Sequence, residues 1–205
     1  MTGTGSGPCY RPGLMWLVVG LGNPGSKYAK NRHNVGFMVT ELLASRWKAP
    51  AAKEKFSGLW TKASFAGDEA VLLQPQTYMN LSGESVQKAM AFFKVPLANV
   101  LVIHDELDLP FREVRVKLGG GAAGHNGLKS IIQHCGGPDF VRVRIGIGRP
   151  PRGTVESWVL GDFDAIEGAQ LPDVLQAAAL ASEAVLRDGP AKAQNTFNTK
   201  PGAKR

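Results

Sequence analysis

The chain has 205 residues, 43% of them apolar, with 24 Lys/Arg against 17 Asp/Glu and a formal net charge of +7. That length suits one domain with a real core, and the apolar share is ordinary for a globular protein. No apolar run approaches the ~18 residues of a membrane span, no secretory leader pattern opens the chain, and Cys9 and Cys135 make neither a metal spacing nor a disulfide framework, so a reducing cytoplasm is expected.

Residues 1–14, MTGTGSGPCYRPGL, are rich in Gly, Ser and Pro and read as a flexible extension ahead of Met15. Leu17, Val18 and Val19 then form a short β-branched-rich run that suits a buried strand. Gly20, Gly22, Pro24 and Gly25 break it into a loop. The glycines also match the dinucleotide-binding fingerprint. That motif needs a helix to begin at once, so that its N-terminus receives the pyrophosphate. Here Pro24, Ser26 and Lys27 intervene, and Glu41 lies mid-helix where a ribose-binding acid is expected after a second strand. Nucleotide binding is disfavoured.

Asn34 reads as the cap of a helix reaching Trp47. Strands follow at 56–65 and 69–74, joined by the turn Ala66-Gly67-Asp68. A helix starting at Asn80 or Ser82 ends before Pro96. Val100 to Ile103 is the most apolar run and reads as a central strand closing at Asp105 and Glu106. A strand at 114–118, a mobile-looking glycine loop at 119–124, a helix at 126–134, a strand at 140–148 and a helix at 171–187 complete the body. A basic, frayed tail is expected over 190–205. The alternation predicts an α/β fold: a single globular domain over residues 15–189, with a twisted mixed β-sheet flanked by helices.

Polar residues in strand-end or glycine-punctuated settings fall in four places: Asn23 with His33, Asn80, Asp105, and His125 with Asn126. Ligand groups in open α/β sheets collect beyond the carboxyl ends of strands. A histidine backed by a carboxylate makes a general base, and carboxamides grip a peptide or a developing oxyanion without charge. No Gly-x-Ser-x-Gly elbow exists, Ser82 reads as a cap and Cys135 as packing, so water is the expected nucleophile. Blander alternatives stand beside each: His33 as a helix cap, Asp105 as a turn acid, Asn80 as an N-cap. His104 and His134 read as structural. Between 112 and 152 eight Lys/Arg face only Glu113 and Asp139, either a nucleic-acid footprint or a solvated face.

GLGNPGSKYAKNRHNVGF, QPQTYMNLSGESV, VIHDELDLP, GHNGLKSI, RVRIGIGRP and WVLGDFD, in that order, resemble bacterial-type peptidyl-tRNA hydrolase over nearly the whole body. The resemblance implies hydrolysis of the ester joining a stalled peptide to tRNA, by a monomeric, metal-independent enzyme without a cofactor. It implies His33 as base and Asp105 as its partner. Asn23, Asn80 and Asn126 would bind substrate and position water, with Tyr28, Met79 and His125 in the same cleft; Lys117 and Arg144 would hold tRNA phosphates. Asn31 stands where that family commonly has Thr, and Ala123 where it commonly has Gly. The alternatives are a non-catalytic RNA-binding protein on the same fold and an esterase for small molecules.

Overall fold

The computed structural model describes residues 15–199. The expected extension 1–14 and the end of the basic tail, 200–205, lie outside the described residues.

The sheet has seven strands: β1 (Trp16–Gly20), β2 (Lys53–Lys55), β3 (Gly58–Phe65), β4 (Asp68–Pro75), β5 (Val100–Glu106), β6 (Val114–Leu118) and β7 (Val141–Gly146), in the spatial order β2-β3-β4-β1-β5-β7-β6. The four central strands β4, β1, β5 and β7 are mutually parallel, while β2, β3 and β6 join antiparallel at the margins. Every residue of β1 and β5 is buried, as strands covered on both faces require, which is why β1 and the first four residues of β5 read as continuous apolar runs.

The two-residue period of a strand divides the core into two layers. Trp16, Val18, Leu101, Ile103, Val143 and Ile145 pack with α1 (Val35–Arg46), α5 (Ala165–Asp188) and α6 (Pro190–Phe197). Leu17, Val19, Val71, Leu73, Val100 and Val102 pack with α2 (Ser82–Phe93) and α3 (Asn126–His134). A short helix, α4 (Val155–Val159), lies between β7 and α5.

The glycines after β1 serve packing. A Cβ on Gly20 would stand 2.3 Å from the Gly36 carbonyl oxygen, and one on Gly36 2.4 Å from the oxygen of Ile103. The N-terminus of α1 therefore presses directly on the carboxyl ends of β1 and β5. His33 sits two residues ahead of it.

One strand was not foreseen, and two expectations are corrected. β2, Lys-Glu-Lys, is fully exposed and has no apolar residue to announce it. α5 begins at Ala165 because Asp164 and Glu167 form a capping box; Pro172 lies inside the helix and does not mark its start. Residues 190–197 form α6 and do not fray: Ala193 is buried, and Asn198 clasps the backbone of Val116 by bonds of 3.0 and 2.8 Å.

Candidate active site

Asp105 is the penultimate residue of the central strand β5 and is 3% exposed. Its Oδ1 lies 2.8 Å from His33 Nδ1 and 3.1 Å from His125 Nε2. Burial alone would push the carboxyl pKa up, but the two imidazoles hold it well below the usual carboxylate range. Asp105 is thus an acceptor only, and both rings must donate to it. His33 then carries its proton on Nδ1, which frees Nε2 to act as a base. For His125 a second observation fixes the opposite tautomer, protonated on Nε2. Its Nδ1 caps α3, accepting from the N–H groups of Gly127 (3.1 Å) and Leu128 (3.4 Å), so the ring proton is on Nε2.

His33 is buried enough to lower its pKa, but the charge and hydrogen bond of Asp105 reverse this and raise it above 6.5. His104 is structural, as expected. Its Nδ1–H donates to the Asp105 carbonyl at 2.7 Å, its ring packs edge-on to His125, and burial holds it well below 6.5, hence neutral.

The asparagines are organised by one another. Asn34 does not cap α1 through its side chain. Its carboxamide spans the loop, accepting from Asn23 N–H at 3.0 Å and donating to the Asn23 carbonyl at 2.9 Å. Asn23 Oδ1 in turn accepts from the Met79 N–H at 2.8 Å, which leaves Asn23 Nδ2 as a donor toward the cleft. Asn80 lies in a short 3-10 turn and the residue flanking α2 is Leu81, so the N-cap alternative for Asn80 is excluded.

All eight expected cleft residues, Asn23, Tyr28, His33, Met79, Asn80, Asp105, His125 and Asn126, line one cavity of about 820 Å³. No Ser, Thr or Cys is among its lining residues. Cys135 lies elsewhere, and burial pushes its thiol up to about 11.

The opposite wall was not legible in the sequence: Val155, Glu156, Val159 and Leu160, on and beside α4. Arg32 fastens that wall to the histidine. Its guanidinium stacks 3.8 Å over Trp158, donates to the Asp162 carbonyl at 2.6 Å and pairs with Glu167. The Arg32 N–H bonds Gly161, and Asn31 bonds Asp162. An arginine beside the histidine and a Thr-x-x-Ser cap before α4 were the available signals.

The basic patch differs from its sequence picture. Lys117 and Arg144 do not line the cavity. They stand on one face of β6 and β7, where Lys117 registers with Arg142 and Arg115 with Arg144. Arg144 is tied to Glu106 at 2.9 Å, Arg115 to Glu113 and Arg149 to Asp108. Arg142 is 2% exposed and belongs to no surface.

His33, Asp105 and His125 are the one group of three candidate metal ligands found among the described residues. The donor chemistry does not suit a resident ion. His125 accepts hydrogen bonds on Nδ1, so offering Nε2 to a metal would require stripping the ring of its last proton.

A single α/β domain with a histidine–carboxylate pair beyond the carboxyl ends of parallel strands, lined by carboxamides and without a Ser, Thr or Cys nucleophile, defines a class: hydrolases that activate water. The peptidyl-tRNA hydrolase family profile matches residues 17–205. The chain belongs to that family. It is 56% identical over 190 residues to a peptidyl-tRNA hydrolase of Sorangium cellulosum, covering 91% of this chain and 85% of that one. It is 49% identical over 184 residues to one of Geobacter sulfurreducens, covering 90% and 95%. The crystal structure of peptidyl-tRNA hydrolase from Acinetobacter baumannii superposes with a TM-score of 0.86 at 37% identity, covering 93% of this chain and 98% of that one.

Proposed function

We propose that this protein hydrolyses the ester between peptide and tRNA in peptidyl-tRNA, releasing both after aborted translation. The observation that carries the reading is the shared Oδ1 of Asp105, which holds His33 with its Nε2 lone pair free. His33 Nε2 takes a proton from water, and the hydroxide attacks the ester carbonyl. Asp105 stabilises the imidazolium that forms. The carboxamides of Asn23, Asn80 and Asn126 grip the peptide and stabilise the oxyanion. His33 then returns the proton to the departing ribose oxygen. Tyr28 and Met79 shape the cleft, and Lys117 and Arg144 attract the tRNA backbone.

No helix among the described residues is long and apolar enough to cross a membrane. We place its action in the cytoplasm, as a monomer of one catalytic domain that runs from residue 15 through α6, without metal or cofactor. The non-catalytic RNA-binding alternative is not favoured: the complete pair and all three asparagines meet in one cleft, which RNA binding alone does not require.

His33→Ala should lower turnover of N-acetylaminoacyl-tRNA by about 10²–10⁴, the usual share of a general base, with tRNA binding nearly unchanged. Retained turnover with a lower melting temperature would return His33 to a structural role.

A further inference from the structure

Arg142 is a buried cation for which the chemistry above has no use. On β7 it is 2% exposed, and it forms no ion pair with any described carboxylate within 4 Å. Its guanidinium lies 4.6 Å from the centre of the Phe140 ring. Nη1 donates to the Gly121 carbonyl at 2.6 Å, and Nη2 donates to the Gly120 carbonyl. Nε has no partner among the described residues. Burial and the neighbouring Arg144 lower its pKa to about 10, against a smaller opposing pull from Glu106.

A buried charge without a counter-charge opposes folding by several kcal/mol, and an apolar side chain of similar volume is commonly the more stable choice. Stability therefore does not account for this arginine. What its fork does hold is the loop from Gly119 to Gly124, expected to move freely. That loop runs through four residues at positive φ, Gly119, Gly120, Ala123 and Gly124. Few side chains pack it, and it ends where the His125 N–H bonds Ala122 at the head of α3. Ala122, Ala123 and Gly124 line the cleft, followed directly by His125 and Asn126.

We infer that Arg142 is a positioning residue for the hydrolysis: by gripping the carbonyls of Gly120 and Gly121 from beneath, it sets where the loop delivers His125 to Asp105 and Asn126 to the substrate. The same loop meets the basic face. A Cβ on Gly120 would stand 2.9 Å from Lys117 Nζ, so the lysine expected to meet tRNA phosphate lies against the segment that Arg142 holds. Phosphate contact and cleft geometry thus share one short stretch of backbone. The inference rests on His33 and Asp105 being the hydrolytic pair.

The test compares Arg142→Met and Arg142→Lys with the parent protein, using melting temperature, hydrogen exchange of amides 119–128 and kinetics on N-acetylaminoacyl-tRNA. Arg142→Met should melt at the parent temperature or higher and exchange faster only over 119–128. Because small misplacements of positioned groups cost up to about 10²-fold, its kcat should fall about 10- to 100-fold, more than KM changes. Arg142→Lys should recover part of that loss, since one ammonium can still reach one carbonyl. Parent kcat with a loosened loop would overturn the inference. So would a lower melting temperature with faster exchange throughout, which would make Arg142 a structural residue. Exchange is read without catalysis, so failure of the His33 reading, seen as an active His33→Ala, remains distinguishable.

Discussion

Residue 125 shows how far a side chain's neighbours redefine it. The sequence placed His125 beside Asn126 and the family resemblance made it a substrate contact, but its two nitrogens are committed to the α3 cap and to Asp105. His125→Asn keeps a good capping side chain but is too short to reach Asp105. With one donor fewer, the carboxylate attracts the His33 proton more strongly. His33 already titrates above 6.5 and must be neutral to act, so kcat/KM should fall as pH drops through that raised value. In the Asn variant this acid limb should move further up, with KM for peptidyl-tRNA little changed. A raised KM with an unmoved limb would restore the substrate-contact role. Ala123, at φ 47, occupies a conformation that glycine adopts freely. Relief of strain outweighs the added chain entropy of glycine, so Ala123→Gly should stabilise the protein by about 0.5–1 kcal/mol, seen as a higher denaturation midpoint.

Elements were legible where one physical signal dominated. β6 and α3 have the ends expected of them, because alternation and a Gly-His-Asn punctuation mark their limits. The His33–Asp105 pair was legible as residue types at strand ends, whereas the distance between them, across 72 positions of sequence, was not. α4 was missed because five residues give too little periodicity, and its position depends on Arg32, whose partners lie some 130 residues away. Arg32 and Glu167 have side chains only 5% and 14% exposed. Arg32→Met leaves the half-buried Glu167 carboxylate with the Asp164 N–H as its remaining partner, so stability should fall by about 1–3 kcal/mol, and α4 should release the cleft wall, raising KM. Calorimetry with steady-state kinetics would separate the two effects. Ending the chain after Gly189 removes α6 and the Asn198 clasp on Val116, two hydrogen bonds each worth about 0.5–1.5 kcal/mol. A lower melting temperature is expected; an unchanged one would return this segment to the role of a loose tail.

Across the whole molecule, charge is arranged by the sheet. The net +7 is a property of the chain, but the face that can meet phosphate is the β6–β7 margin, and there Arg115 and Arg144 already have carboxylate partners. Composition could count these cations and could not show which were spent on Asp or Glu. Lys117 is therefore the cleaner probe than Arg144, whose removal would also leave Glu106 unpaired at the cleft. Lys117→Ala should flatten the slope of log affinity for tRNA against log salt by about 0.7–0.9 units, the release of one counterion. It should leave cleavage of a short peptidyl-nucleotide unaffected. An unchanged salt slope would make the margin a solvated face.

The cap on α3 also bears on how the protein ages. Asn126 precedes Gly127, the pairing most prone to spontaneous deamidation, in which the following backbone nitrogen attacks the carboxamide carbon and expels ammonia to form a succinimide. Here that nitrogen is held in the first turn of a helix, with its N–H directed at His125 Nδ1, 3.1 Å away. The attack requires both the proton to leave and the turn to unwind. An imidazole that orients a carboxylate therefore also protects an asparagine of the cleft, and a preparation lacking His125 should convert Asn126 to aspartate and isoaspartate faster on storage.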